Sequence, residues 1–171
     1  MTESRVETLI AKLEKGAQKT HDILSRLTAD QWQATVYTEP CPWTVRDMLA
    51  HFLSAEEGLL RMTQDIASGR VDAPEGFDLD AFNAQEQERL AGRSPQDLLD
   101  ALSVARQVTI DWVRTLTEEE LDRAGQHPAL GETSLETMIT AMYGHQLLHM
   151  RDLQRAWKHT LDNPTAAELE S

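Results

Sequence analysis

The chain has 171 residues, of which 40% are apolar and 26% are charged, a composition typical of one globular domain with a substantial core. Its 29 acidic and 16 basic residues give a net charge of −13, which argues against nucleic acid or an anionic membrane surface as a partner. Cys41 is the only cysteine, so no intrachain disulfide can form. Because we find neither a secretory signal nor an apolar run of membrane-spanning length, we predict a cytoplasmic protein.

The first predicted helix covers residues 4–27, where apolar residues recur at helical spacing and form one stripe. Thr28 and Gln31 then have the spacing of a capping box and predict a short helical turn. Residues 33–42 show no periodicity and contain two prolines, so we expect a connecting loop there. Cys41 lies in this loop without an evident base or positive charge beside it, which argues against a catalytic thiol.

The second predicted helix begins at Thr44, with Thr44 as N-cap and Asp47 at the third helical position. Apolar residues follow at helical spacing until Gly69. His51 shares the apolar stripe of this helix, so we expect it to face the core or to lie at its edge. An inward histidine is more often a hydrogen-bonded core residue than a metal ligand, so His51 needs partners before it can indicate a site.

Residues 69–93 form the longest irregular stretch, and connections of this length are usually functional or locally folded. Asp80–Leu90 can form a short helix that carries Phe82 and Asn83. Asn83 offers both a donor and an acceptor, so we assign it as a candidate substrate contact. Ser94 followed by a proline and, two residues later, an aspartate predicts the start of the third long helix.

A weak internal repeat links the two halves of the chain. The Leu-Thr start of the short turn at Thr28 recurs at Thr117, 89 residues later, and a capping box that begins at Thr133 lies the same distance after Thr44. We therefore expect two similar helix–short helix–helix units. His127 falls in the loop before Pro128, within the second unit, where an exposed position is expected.

The fourth predicted helix runs from about 134 to 158 and carries His145 and His149 on its apolar stripe. Residues four apart lie on the same helix face, so both imidazoles project in one direction. We assign residues 1–160 to one domain and residues 161–171 to a polar tail.

Four long capped helices without a strand pattern predict an all-α four-helix bundle. If the second and fourth helices are antiparallel neighbours, His51 and His149 both lie about 10–14 Å from the same end of the bundle at 1.5 Å per residue. The three histidines then converge on one point.

Three imidazoles around one point are the ligands of an open catalytic metal site, with zinc first and with nickel or iron also compatible. The alternative is a metal-free cluster of buried polar side chains, which is costly to bury. A ligating histidine also needs a partner for its second ring nitrogen. Asp47, one turn before His51, and Asp152, near His149, are the candidate partners, although surface salt bridges would explain them equally well.

Three segments resemble those of the DinB/YfiT-like superfamily, which also contains mycothiol-dependent maleylpyruvate isomerases. They are Pro42–His51 (PWTVRDMLAH), Gly144–His149 (GHQLLH) and Phe77–Ala105 with its Phe82-Asn83-Ala84 triplet. The resemblance extends over nearly the whole chain and implies an up-down-down-up bundle with one metal held by His51, His145 and His149. The isomerase branch commonly has glutamate at the position of His145, so this chain looks more like the all-histidine branch.

The resemblance and the metal ligands favour a metal-dependent enzyme acting on a small molecule. We expect an S-transferase that uses a low-molecular-weight thiol as co-substrate, or a related detoxifying activity. The alternatives are a metal-dependent hydrolase and a non-catalytic ligand-binding protein associated with stress. The sequence leaves open the metal, the thiol, the substrate and whether the chain forms a homodimer.

Overall fold

The structure, a computed structural model, describes residues 4–39, 41–70 and 76–162. Four long helices dominate it: α1 (Arg5–Leu24), α3 (Val45–Ala67), α5 (Pro95–Val113) and α6 (Leu135–Asp162). The connections contain the short helices α2 (Ala29–Gln33) and α4 (Leu79–Leu90), a 3₁₀ turn (Glu120–Asp122), and the strands β1 (Thr35–Tyr37), β2 (Trp43–Thr44), β3 (Ala124–His127) and β4 (Gly131–Ser134). The predicted all-α four-helix bundle is therefore confirmed.

The helix starts follow the local sequence chemistry. Thr28, Thr44 and Ser94 each accept a hydrogen bond from the backbone N–H three residues on, and the side chain at that position bonds back to the cap. The start of α6 differs from the prediction, because Ser134 rather than Thr133 accepts from the backbone N–H of Thr137. Helix α6 begins at Leu135, so Ser134 directly precedes it, and Thr133, opposite Gly125 in β4, lies one residue too early to be the cap.

The four long helices run up, down, down and up around a shared core. Helix α3 packs against both α5 and α6, and α1 packs against the same two helices. The core contains two apolar clusters, one around Phe52 and Leu98 and the other around Leu13 and Met138. Between them along the helices lies a buried ion pair, in which Arg106 Nη2 is 2.7 Å from Glu56 Oε2.

The internal repeat is present in the structure. Helix α1, α2, the β1–β2 hairpin and α3 correspond in order to α5, the 3₁₀ turn, the β3–β4 hairpin and α6. The junctions also match, because Val45 N donates to Ala34 O at 2.9 Å and Leu135 N donates to Arg123 O at 2.8 Å. Each long helix that follows a hairpin is thus tied to the residue just before that hairpin.

The two hairpins are a feature that the sequence did not predict, since residues 33–42 and the region around His127 were expected to be loops. Their strands have two to four residues, which is too short for a two-residue alternation to be visible. Helix α6 continues to Asp162, beyond the predicted end near residue 158. Most of the predicted tail, residues 161–171, lies outside the described residues, as do residues 71–75 of the long connection.

Candidate metal centre

The three predicted histidines meet where α3 packs against α6. His51 is in the second turn of α3, and His145 and His149 are one turn apart on α6. The Nε2 atom of His145 is 3.0 Å from Nε2 of His51 and 2.9 Å from Nε2 of His149. All three rings therefore present the same nitrogen to one small volume, and one ligand atom from each lies within 4.8 Å of the others.

This arrangement fits a divalent cation. Metal–nitrogen bonds of 2.0–2.1 Å at tetrahedral angles place ligand nitrogens about 3.3 Å apart, which is close to the two separations measured from His145, 3.0 and 2.9 Å. Three imidazoles leave at least one coordination position for water or substrate. The three-histidine set could thus hold a metal ion, and its chemistry suits zinc, nickel or iron.

The surroundings of the histidines favour their neutral forms. Burial, together with the charges of the neighbouring histidines, lowers the pKa of His51 to about 3. Burial and the charges of His149 and His127 lower the pKa of His145 to about 4. Burial also lowers the pKa of His149, which the nearby Asp152 carboxylate partly offsets. At neutral pH the three rings are therefore neutral, and each can donate an electron pair from Nε2 in the tautomer that carries its proton on Nδ1.

Tyr37 on β1 determines which nitrogen of His149 faces the centre. Its hydroxyl donates to Asp152 Oδ2 at 2.9 Å and lies 2.6 Å from Nδ1 of His149. A hydroxyl has one proton, so a tyrosine that donates to Asp152 accepts from Nδ1–H, and the lone pair of His149 is left on Nε2. Burial and the Asp152 carboxylate raise the pKa of Tyr37 above its ordinary value, which keeps the hydroxyl protonated.

The two predicted carboxylate partners have different surroundings. Asp152 reaches His149 through Tyr37, which the sequence analysis missed because a tyrosine in an apparent loop carries no metal-site spacing. Asp47 uses Oδ2 to accept from the backbone N–H and the hydroxyl of Thr44, and Oδ1 to accept from Arg46. The Asp47 carboxylate thus acts at the start of α3, and the structure gives no support to a role as partner of His51.

The walls of the site come from the two segments around α3. The indole of Trp43 on β2 packs on His51, with ring centroids 5.1 Å apart. Gln87 of α4 donates to the backbone oxygen of Asp47 at 2.8 Å and fixes α4 against α3. Asn83 of α4 interacts with His51 and favours its protonated form. In the part of the chain that the structure describes, no hydrogen-bond partner reaches the buried Oδ1 atom of Asn83.

The sequence profile of the DinB superfamily matches residues 6–153. No curated protein has a significant match. Among the described residues, no helix combines the length and apolar character needed to cross a membrane.

Several solved structures share the fold. YfiT from Bacillus subtilis, a probable metal-dependent hydrolase with an unusual four-helix bundle topology, aligns with a TM-score of 0.76 at 17% identity, over 94% of this chain and 90% of YfiT. The mycothiol-dependent maleylpyruvate isomerase aligns with a TM-score of 0.69 at 14% identity, over 89% of this chain but only 63% of the isomerase. The colibactin self-resistance protein ClbS, whose structure contains double-stranded DNA, aligns with a TM-score of 0.67 at 16% identity, over 87% of this chain and 94% of ClbS.

Proposed function

The chain belongs to the DinB superfamily, and on this premise we propose that it is a metal-dependent enzyme in which His51, His145 and His149 hold one divalent cation. The observation that carries the proposal is the convergence of three Nε2 atoms, with that of His145 within 3.0 Å of those of His51 and His149. Zinc is the first candidate because it takes three imidazoles and keeps a fourth position open. Nickel and iron accept the same ligands.

The reaction that we favour is transfer of a low-molecular-weight thiol to a small electrophile. The bound cation would lower the pKa of a thiol at its open position, so that the sulfur is nucleophilic at neutral pH. The sulfur would form a bond to an electrophilic carbon as the leaving group departs, with the thiol proton released to solvent. The likeness to the mycothiol-dependent isomerase supports a thiol, because that enzyme requires one.

The residues of this chain contribute orientation and exclusion of water. The Tyr37–Asp152 pair holds the His149 ring in the ligating tautomer, as argued above. Trp43 and α4 cover the histidines on two sides. Asn83 supports a substrate contact because it lies beside His51 and, among the described residues, its buried Oδ1 atom has no hydrogen-bond partner, so a substrate N–H or O–H would satisfy it.

Hydrolysis is the second candidate. YfiT is a probable metal-dependent hydrolase, and its fold covers nearly the whole of this chain. Three imidazoles with one open position also suit a reaction in which water is the nucleophile. The choice between the two reactions is then the choice of which nucleophile takes the open position.

The test begins with protein purified without a nickel column and analysed for bound metal by mass spectrometry. The loaded protein is then assayed with a set of thiols and an alkyl halide electrophile, and with activated esters without thiol. We expect metal in the wild type, a loss of metal and activity in His51→Ala, and no loss in His21→Ala, which replaces an exposed histidine on α1.

The outcomes separate the candidates. Turnover that requires a thiol supports the transferase, and ester hydrolysis without a thiol supports the hydrolase. Bound metal without any turnover supports the non-catalytic ligand-binding protein. If His51→Ala and a double replacement of His145 and His149 bind metal as the wild type does, the three histidines are not its ligands.

A further inference from the structure

His127 lies outside the proposed ligand set but close enough to it that a charge on its ring would lower the pKa of His145. The sequence predicted an exposed loop position, whereas the structure places His127 at the end of β3, half-buried and paired with Gly131 across the hairpin. The reason for the difference is the hairpin itself, which was not recognisable in the sequence.

Two backbone contacts define the tautomer of His127. The N–H groups of Ala129 and Leu130 donate to its Nδ1 atom at 3.1 and 3.2 Å. A backbone N–H can only donate, so Nδ1 is an acceptor and carries no proton. Burial lowers the pKa of His127, so the neutral ring prevails at neutral pH and its single proton is on Nε2.

The Nε2–H group of His127 is a donor without an acceptor. The Nε2 atom is buried and has no hydrogen-bond partner among the described residues. Leaving such a donor unpaired costs about 1–3 kcal/mol, and buried polar groups in folded proteins are therefore nearly always paired. A donor that is fixed in direction and has no acceptor is available to form a hydrogen bond with a ligand.

His127 and Tyr37 lie on different hairpins, which meet α6 at different points along its length. Hairpin β1–β2 contacts α6 at His149 and Asp152 through Tyr37. Hairpin β3–β4 leads directly into the first residue of α6. Gly125 holds β3 so close to Ile66 on α3 that a side chain at this glycine would have no space. The histidines of α6 thus lie between the two hairpins along the helix.

We propose that His127 is a substrate-positioning residue whose Nε2–H binds a carbonyl or carboxylate oxygen on the part of the substrate that extends away from the metal position. The inference rests on the proposed function, because the metal position defines where the reacting end of the substrate lies. A neutral imidazole can donate to a carbonyl or to a carboxylate oxygen, because the backbone contacts of the turn, and not the charge of the ligand, orient its Nε2–H.

The test uses cobalt-substituted full-length protein and a series of ω-mercaptocarboxylates of increasing chain length, each paired with the alkanethiol of the same length. Sulfur binding to cobalt gives a charge-transfer absorption from which dissociation constants are measured. We expect one chain length at which the carboxylate binds about tenfold more tightly than its alkanethiol, the factor that one hydrogen bond to a charged acceptor supplies.

Three variants test whether His127 causes the advantage of the carboxylate, that is, its tighter binding relative to the alkanethiol. It should disappear in His127→Leu, persist in part in His127→Gln, whose amide keeps an N–H donor, and be unchanged in His21→Leu. Alkanethiol binding should be the same in all of them. An advantage that His127→Leu retains, or no advantage at any chain length, overturns the proposal.

Two further readouts cover loss of folding and failure of the proposed function. If circular dichroism shows that His127→Leu is unfolded, nitrogen-15 spectra of wild-type histidines decide instead. The Nε2–H signal of His127 should shift with the best mercaptocarboxylate and not with its alkanethiol, and equal shifts contradict the proposal. Wild-type protein that binds no cobalt, or cobalt but no thiol, overturns the metal-dependent thiol function itself and the inference with it.

Discussion

At the scale of single residues, the proton of the Tyr37 hydroxyl decides the chemistry of His149. An imidazole in water exchanges freely between two tautomers, and only one of them leaves a lone pair on Nε2. The contact of 2.6 Å between Tyr37 and Nδ1 and the donation of 2.9 Å to Asp152 select that tautomer before any metal binds. The free energy needed to orient the His149 ring is thus part of the folding free energy and does not weaken metal binding.

Replacing Tyr37 by phenylalanine should therefore lower metal affinity about 10–100-fold, the range found for partners of ligating histidines. The change removes one hydroxyl and keeps the ring that packs on Trp43 and His149. Affinity is measured by competition with a chromophoric chelator. Tyr143→Phe, a half-buried tyrosine packed against the other apolar cluster, is the matched control. Equal affinities in Tyr37→Phe and wild type would show that the tyrosine does not orient the ligand.

At the scale of secondary-structure elements, polar contacts fix how the helices sit against one another. Glu56 on α3 is 2.7 Å from Arg106 on α5 and accepts a hydrogen bond of 2.6 Å from the hydroxyl of Thr109. All three side chains are buried. Because the ion pair lies five residues beyond His51 on α3, it defines the register of α3 against α5 close to the proposed metal site.

Removing one partner of this ion pair should lower the free energy of unfolding far more than replacing both partners with apolar side chains. Arg106→Met leaves the Glu56 carboxylate buried without its counter-charge and should lower the free energy of unfolding by about 3–5 kcal/mol. The double variant Glu56→Met/Arg106→Met should recover a large part of that loss. Urea unfolding measures both. A double variant that is less stable than Arg106→Met would contradict the unpaired-charge explanation.

The second hairpin is attached to α3 through a close approach at Gly125. A Cβ atom there would lie 2.6 Å from Cδ1 of Ile66, well inside contact distance. Gly125→Ala should therefore lower the free energy of unfolding by about 1–3 kcal/mol, as overpacking does in other cores. Adding Ile66→Val removes Cδ1, the nearest of the Ile66 atoms that lie 2.6, 2.8 and 3.0 Å from the added Cβ, and should restore part of the loss. Gly92→Ala, where an added Cβ meets no atom within 4 Å, is the control.

At the scale of the whole molecule, the proposed site belongs to neither half of the repeat alone. His51 comes from the first unit, and His145 and His149 come from the second. The two units pack with α3 against α6, so the three histidines meet only in the assembled bundle. Metal bound at this position would therefore stabilise the complete fold, by mass action on the folded state.

The pH dependence of the metal-free protein follows from the pKa values of the histidines. Burial lowers the pKa of His51 to about 3 and that of His145 to about 4, whereas the unfolded chain binds protons near pH 6.5. The unfolded state therefore takes up more protons as the pH falls. The free energy of unfolding should keep its full value above about pH 6.5 and fall below that pH. At pH 5 the loss should be about 2 kcal/mol for each of the two histidines.

Urea unfolding of the chelator-treated protein at about pH 7.5 and pH 5 measures this loss. The double variant His51→Leu/His145→Leu lacks both groups and should lose much less stability over the same interval. Chelator should also lower the thermal midpoint of metal-loaded wild type at neutral pH. A wild type and a double variant with the same pH dependence would show that the two histidines are not buried in their neutral form.

The sequence by itself determined the elements and the ligand candidates. Side-chain capping is a local interaction, so Thr28, Thr44 and Ser94 marked three helix starts without any knowledge of the fold. The helical period placed His51, His145 and His149 on inward stripes, and the resemblance implied the bundle order that brings them together. Helix caps and the helical period depend only on neighbouring residues along the chain, and the family motifs can be recognised in the sequence alone.

Only the tertiary structure decided which groups surround the three histidines. Tyr37 and His127 lie on strands of three and four residues, whose pairing is created by a partner across a turn and leaves no periodic signal. Asp47 has the sequence spacing both of a capping partner for Thr44 and of a partner for His51, and the structure shows its carboxylate bonded to Thr44. Contacts between distant segments depend on how the helices pack, and helix packing is a property of the assembled core rather than of any one stretch of sequence.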